Sequence, residues 1–246
     1  MVWGMSLPST FGEFWPDGEY EFDQQTWDSG WGKRIQENYN KKMINSQNNS
    51  FQNGNGYRFV GDPYYVSQKF TKEIGTTIGP DYPPIGLIED CDPPQSFQVI
   101  RGKKSLGSIF KMNNGILAVD EILRSIIDEI EPNIHQFFPI EIKWRNNRLE
   151  LRYIIVIRKY LDSFSPENSK DYSWRIESPK YPNSHIYEEN KKSMNGLSFS
   201  RKLFGNSHLW RERNFNNPLI CISDELKNEI EKLSLRIPKI YKMREV

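Results

Sequence analysis

Hydrophobic residues in the segment 115–132 recur at helical spacing. Six of them lie on one apolar stripe: Val119, Ile122, Leu123, Ile126, Ile127 and Ile130. The acidic residues between them would face the other side, as in an amphipathic helix with a solvated charged face. Because proline cannot continue a helix, we expect this helix to end at Pro132.

Two apolar segments follow, FFPIEIKW and RLELRYIIVIRKY, joined through Asn146 and Asn147. Asparagine tolerates the positive φ angles of tight turns, so the pattern predicts a β-hairpin. In the second segment, Leu149, Leu151 and Tyr153 alternate with charged neighbours before the continuous run IIVI. Such a run is typical of a strand in the middle of a sheet.

Near the C terminus, the pattern predicts a short buried strand over residues 219–222 and a helix directly after it. Ser223 lies at the N-cap position, and Asp224 and Glu225 occupy the first turn, where acids favour the helix dipole. The apolar residues of this helix would share one face: Leu226, Ile230 and Leu233.

The first half of the chain has weaker periodicity. Residues 38–56 are rich in Asn, Gln, Ser and Gly, and we expect a loop or linker there. Prolines punctuate residues 61–100 and predict an irregular stretch with short edge strands at most and no long helix. These prolines are Pro63, Pro83, Pro84, Pro93 and Pro94.

Together these elements predict an α+β fold with a mainly antiparallel sheet, a few packed helices and a loop-rich N-terminal part. We expect one compact domain overall. Within it, residues 1–56 would form an acidic, aromatic arm and an Asn-rich loop, and residues 57–246 the α+β body.

Composition narrows the class of protein. With 246 residues, 37% of them hydrophobic, the chain can bury a sizeable core. Its 33 Lys and Arg against 32 Asp and Glu give no general electrostatic reason to expect a nucleic-acid or membrane partner. No secretory or membrane-spanning pattern is present, and Cys91 and Cys221 lack metal-like spacing. We therefore expect a cytoplasmic protein whose cysteines are ordinary core residues.

Charge is uneven at the N terminus, where the first 32 residues contain six acids, eight aromatics and no Lys or Arg. Part of this segment alternates as in a strand with one apolar face. In one interpretation, its aromatics dock on the body while its acids face water. In the other, it is an edge that binds a basic partner. The candidate partner-binding residues are Trp15, Asp17, Glu19, Tyr20, Glu21 and Phe22.

No motif indicates a catalytic chemistry. Gly54–Gly56 lacks the preceding strand and third glycine of a dinucleotide site. Gly102 and Gly107 have phosphate-loop spacing, but Ser108 and Ile109 stand where Lys and Ser or Thr are required. The histidines fit no metal or nucleophile motif: His135, His185 and His208. We expect no catalysis, no cofactor and no metal.

Two enzymatic interpretations stay open. A thiolate of Cys91 or Cys221 would need His208 as its base. The carboxylate pairs lie in Pro- and Ser-rich turns, where Asp normally caps backbone donors. These pairs are Asp90 with Asp92 and Asp162 with Glu167.

Three segments resemble a bacterial family first catalogued as a domain of unknown function and later assigned as immunity protein family eleven of polymorphic toxin systems. They are YIIVIRKYLDSFSPENS, NSHLWRERNFNNPLICISDELKNEIEKLSL and the closing IPKIYKM. The resemblance covers about residues 95–245. It matches the family's Asp-x-x-x-Ser-like loop, His-x-x-Arg-like turn and Ser-Asp-x-Leu-Lys strand end at Asp162, His208, Arg211, Ser223, Asp224, Leu226 and Lys227. The family usually carries a glycine after the final helix; LSLRIPKIY has none, so that helix must be capped differently.

The resemblance implies a cytoplasmic protein that binds and neutralises one cognate toxin, usually encoded by a neighbouring gene, without catalysis of its own. The matching residues would then be fold determinants, and specificity would lie on the surface. Two alternatives remain. One is a small hydrolase or nucleotidyl-modifying enzyme that uses His208 and an acidic partner, and the other is an adaptor without a toxin partner.

Overall fold

The computed structural model describes residues 1–21, 30–45, 63–71, 88–90, 92–101, 104–144, 148–179 and 181–246. Within them the chain forms fourteen strands and six α-helices, which confirms the α+β class. The strands are β1 (Val2–Met5), β2 (Asp17–Tyr20), β3 (Ser96–Arg101), β4 (Ile109–Lys111), β5 (Leu117–Val119), β6 (Gln136–Trp144), β7 (Leu149–Val156), β8 (Tyr160–Leu161), β9 (Trp174–Ser178), β10 (Tyr181–Tyr187), β11 (Ser198–Phe199), β12 (Leu209–Glu212), β13 (Leu219–Ser223) and β14 (Ile240–Glu245). The helices are α1 (Gly30–Asn45), α2 (Pro63–Thr71), α3 (Glu121–Ile130), α4 (Lys191–Gly196), α5 (Arg201–Phe204) and α6 (Asp224–Lys232).

Twelve of these strands form two six-stranded sheets, and β9 pairs with β10 separately. Sheet I has the order β2-β3-β6-β7-β5-β4, and sheet II has the order β11-β14-β1-β13-β12-β8. Most neighbours are antiparallel, with parallel pairing at β3–β6, β8–β12 and β11–β14. The predicted hairpin is confirmed as β6–β7, and β7 lies inside sheet I, as its apolar run indicated.

The N-terminal segment contributes a strand to each sheet. β1 lies between β13 and β14 in sheet II, and β2 forms an edge of sheet I beside β3. The division of the chain into 1–56 and 57–246 stays a prediction, and it does not coincide with a boundary between the sheets.

Three hydrophobic cores lie against the faces of the two sheets. The first lies between sheet I and helices α1 and α2, and it contains Trp31, Ile35, Phe70, Phe97, Ile140 and Ile154. The second lies between the two sheets with α3 and α6, and it contains Leu123, Ile127, Ile155, Ile220, Leu226 and Ile230. The third covers the far face of sheet II and contains Phe164, Met194, Phe199, Trp210 and Cys221.

Two expectations for the first half are wrong. Residues 38–45 continue α1, because Trp31, Ile35 and Tyr39 lie four positions apart and give the helix a buried stripe. The remainder of the expected loop, 46–56, lies outside the described residues. In the proline-rich stretch, Pro63 starts α2, where a missing N–H costs no helical hydrogen bond. β3 then lies inside sheet I and not at its edge.

The striped helix is shorter than predicted. It begins at Glu121, because the Asp120 side chain accepts a hydrogen bond from the Leu123 backbone N at 2.8 Å and acts as the N-cap. Val119 therefore belongs to β5, and Ile122 is 53% exposed and lies outside the buried stripe. The helix ends at Ile130, before the proline, as expected.

The C-terminal strand and helix are confirmed as β13 and α6, with Ser223 as the N-cap. Leu233 lies just past the helix and is 48% exposed, so it does not join the buried face. Ser234 takes the left-handed conformation that favours glycine, with φ of 52°. The Leu235 N then donates to Ile230 O at 3.0 Å, as in a Schellman motif.

Candidate functional site

The acidic strand β2 has one buried and one accessible side. Gly18 and Tyr20 are buried, whereas Asp17 and Glu19 are partly exposed. The Tyr20 ring packs on Trp31, with ring centroids 4.7 Å apart, in the first core. Tyr20 is therefore part of the scaffold. On β2, only the acidic residues of the alternating pattern reach solvent.

Glu21 is held by the body of the protein. Its carboxylate accepts hydrogen bonds from Arg34 Nε at 3.2 Å and Nη2 at 3.0 Å, and another from the Gln95 backbone N. These contacts join the end of β2 to α1 and to the segment before β3. Phe22 lies outside the described residues.

Beyond β2, sheet I presents a partly uncovered surface that we call the open face. It consists of Glu19, Gln98, Glu141, Lys143, Leu149 and Leu151. Register places Glu19 opposite Gln98, Gln98 opposite Lys143, and Lys143 opposite Leu149, so one row of side chains crosses four strands. With strands about 4.8 Å apart, this row spans roughly 14 Å.

The apolar part of the open face is formed by two residues of β7, at one end of this row. Leu149 is 63% exposed and Leu151 is 56% exposed. Further along the same strand, Tyr153 and Ile155 are covered in the second core. The apolar stripe of β7 therefore extends beyond the part of the sheet that α3 covers, and sequence reasoning did not single out these leucines as a surface.

Most residues that match the family motifs make fold contacts. Ser223 Oγ accepts from Leu226 N at 3.2 Å, and Asp224 accepts from Trp3 Nε1 at 2.7 Å. Lys227 lies over the Trp3 ring, 4.7 Å from its centroid. Asp162, by contrast, is half-exposed, with its carboxylate 3.5 Å from Arg213.

His208 is tied to the cap of α6. Its Nδ1 lies 2.9 Å from Ser223 Oγ and 3.7 Å from the exposed carboxylate of Glu225. Its backbone N donates to the buried Glu131 at 2.9 Å. Since Ser223 Oγ also serves as a helix cap, this pair of side chains has a structural explanation.

Glu131 is the acid that joins α3 to β12. It is 4% exposed and receives hydrogen bonds from His135, Lys159 and the backbone N of His208 and Leu209. Burial alone would raise its pKa, but the bonds from His135, Lys159 and the His208 N outweigh burial and lower the pKa to about 2. A carboxylate held ionised by four donors is a structural group.

The remaining catalytic candidates also lie apart or in structural settings. Burial raises the pKa of the Cys221 thiol in the third core, which disfavours a thiolate, and Cys91 lies outside the described residues. Asp92 is fully buried, with Lys69 Nζ at 2.9 Å and Tyr39 Oη at 3.0 Å from its carboxylate. Glu167 accepts a hydrogen bond from nearby Ser165.

A cleft of about 560 Å³ lies where the two sheets approach each other. Lys111 of sheet I, Arg211 of sheet II, Trp15 and Glu189 line it. Lys111 Nζ lies 3.7 Å from the centroid of the Trp15 ring. Arg211 thus differs from the other motif residues, because it belongs to a cavity wall.

The matching motifs and their structural placement agree with a comparison against known families. A profile described as an immunity protein family, Imm11, matches residues 57–244. The chain belongs to this Imm11 family. The match takes in the described strands from β3 to β14, except the last residue of β14, whereas β1 and β2 lie before it. No match is found among curated proteins.

Two further properties of this Imm11 chain bear on its site. Among the described residues, no group of three or more His, Cys, Asp or Glu side chains is placed to hold a metal ion. None of the helices in the described part of the chain has the length and apolar character needed to cross a membrane.

Proposed function

We propose that this Imm11 protein protects its producer by binding one cognate toxin in the cytoplasm, without catalysis of its own. The toxin would be encoded by a neighbouring gene. Family membership supports the immunity role. The observation that supports binding is the open face, where Leu149 and Leu151 are 63% and 56% exposed beside charged residues.

Such a face has the composition of a binding surface. Large apolar side chains that are exposed together on a sheet gain free energy when a partner covers them. Glu141 lies opposite Leu151, and Asp17 and Glu19 lie on β2 at the other end of this surface. These acids would attract a basic surface on the toxin. Tyr20 and Glu21 would support this surface by fixing β2 to the first core and to Arg34.

A matched pair of substitutions tests this proposal. Leu151→Arg places a charge in the open face, whereas Leu203→Arg changes a leucine of equal exposure, 57%, on α5. Titration calorimetry with the toxin domain encoded beside this gene should show roughly tenfold or greater loss of affinity for Leu151→Arg only. Growth protection should fall in parallel. Equal binding by parent and both variants would place the interface elsewhere.

The absence of catalysis has its own test. His208 contacts the cap serine Ser223, so His208→Ala should lower stability slightly and leave protection intact wherever the variant is folded. Loss of protection with an unchanged melting curve would instead favour an enzyme that uses His208.

A further inference from the structure

The cleft between the sheets is lined by an arginine with two side-chain nitrogens that are unpaired among the described residues. Arg211 lies on β12 between β8 and β13 and is 4% exposed. Its Nε and Nη2 find no hydrogen-bond acceptor among the described residues. A buried guanidinium without a counter-ion is costly, so a protein that keeps one retains it against a stability penalty.

The unpaired edge of Arg211 is the one that binds carboxylates elsewhere in this chain. Arg34 uses Nε and Nη2 to hold both oxygens of Glu21, at 3.2 Å and 3.0 Å. Arg124 uses the same two atoms to hold Glu121, at 3.1 Å and 2.5 Å. This planar fork fits a carboxylate or a phosphate bidentately. In Arg211 the same two nitrogens are buried and have no acceptor among the described residues.

Other unpaired groups line the same cleft. Trp15 Nε1 is a buried donor without an acceptor, and Glu189 Oε2 is a buried acceptor without a donor, within the described part of the chain. Glu189 and Arg211 share this cleft, yet no ion pair joins them there. Lys111 adds a second positive charge, and its Nζ donates to Pro8 O at 2.8 Å.

The two ionisable neighbours of Arg211 are also held away from water. Burial raises the pKa of Glu189, opposed by Ser6 and by the charge of Lys111. Burial lowers the pKa of Lys111, opposed by the charge of Glu189. A partly desolvated wall strengthens the attraction of any anion that reaches the guanidinium.

We propose that this cleft binds a small molecule carrying an oxyanion, a carboxylate or a phosphate, which Arg211 holds bidentately once a shift of its side chain turns the buried Nε and Nη2 toward the cleft. Trp15 Nε1 and Lys111 add donors, and Glu189 accepts from a hydroxyl or amino group of the ligand. A volume of about 560 Å³ lies within the usual range for small-molecule sites. The site uses none of the residues of the open face, so it goes beyond toxin binding.

Calorimetric titration of the full chain with sodium acetate, sodium succinate and inorganic phosphate, at constant ionic strength, tests this site. We expect saturable binding of at least one probe, and the probe that binds tells a carboxylate site from a phosphate site. Arg211→Met should weaken that binding roughly tenfold or more, because the fork is lost. Arg211→Lys should recover it only in part, since a lysine keeps the charge without the bidentate geometry.

Arg213→Met is the matched control, because Arg213 follows Arg211 by two residues, has a 43% exposed side chain and does not line the cleft. Trp15→Phe is a second variant, which removes the Nε1 donor but keeps an aromatic side chain. It should weaken binding several-fold. In thermal melts, the binding probe should raise the melting temperature of the parent and of Arg213→Met but not of Arg211→Met. The proposal is overturned if no probe binds saturably, or if Arg211→Met and Trp15→Phe both bind as the parent does.

Discussion

Glu212 should make the stability of this protein fall as the pH rises from weakly acidic to neutral. Its side chain is fully buried, and its Oε2 accepts from Ser163 N at 2.9 Å and Ser163 Oγ at 2.7 Å. Burial raises the pKa of Glu212 from 4.5 to about 7, against the opposing effect of the Ser163 hydrogen bonds. An acid whose pKa is raised by folding stabilises the fold fully below its unfolded pKa. That stability is lost as the pH rises through the folded pKa.

The size of the effect follows from the two pKa values. The interval from 4.5 to about 7, at about 1.4 kcal/mol per pH unit, corresponds to about 3 kcal/mol of unfolding free energy. Glu212→Gln keeps the shape and an acceptor oxygen for Ser163 but cannot ionise. Relative to the parent, the variant should therefore gain about 3 kcal/mol between pH 4.5 and pH 8.

Urea denaturation of both proteins, followed by tryptophan fluorescence at several pH values in this range, measures the gain. Ionisable groups common to both proteins cancel in the difference between their unfolding free energies. A difference that stays constant from pH 4.5 to pH 8 would show that Glu212 ionises normally in the folded protein, and the argument from burial would be wrong.

Three other predictions follow from local geometry and charge. In chemical denaturation, Ser223→Ala should lower the free energy of unfolding by about 1 kcal/mol, because the α6 cap is lost. Ile126 is 8% exposed, so Ile126→Ala should lower it by about 2 to 5 kcal/mol by leaving a cavity. Equal, negligible losses would contradict both assignments. Ser234→Gly should raise stability by about 1 kcal/mol because φ is positive there, and a loss would contradict the Schellman geometry. Reversing Asp17 and Glu19 to Lys should slow toxin association mainly at low salt, measured by stopped flow at two ionic strengths; unchanged rates would exclude β2 from the interface.

Prediction from sequence worked best where the signals are local. The N-cap at Ser223 and the β6–β7 hairpin rest on neighbouring residues, and both formed as expected. In contrast, the apolar stripe of α1 consists of only three residues within a polar segment. The polar composition therefore predicts a loop where the structure has the end of a helix. Prolines predict an irregular stretch over residues 61–100, whereas Pro63 lies at the first position of α2, where its missing N–H costs no helical hydrogen bond.

The candidate surfaces depend on packing between distant parts of the chain, which local patterns do not report. The alternation of Leu149 and Leu151 shows an apolar stripe, but the position of α3 decides which part of the stripe is covered. Likewise, the His-x-x-Arg match identified Arg211 without indicating whether it has a partner. The other walls of its cleft come from Trp15, Lys111 and Glu189, each at a different place along the chain.

Other buried charges among the described residues are paired. Lys69 and Asp92 bind each other in the first core, and Glu131 has four donors. Compared with these pairs, the unpaired nitrogens of Arg211 are an exception, and unsatisfied buried groups are common at functional sites. Leu151 of the open face and Arg211 of the cleft also differ in how easily they can be substituted. Leu151 is 56% exposed and can be replaced without opening a core, whereas Arg211 is 4% exposed and lies between β8 and β13.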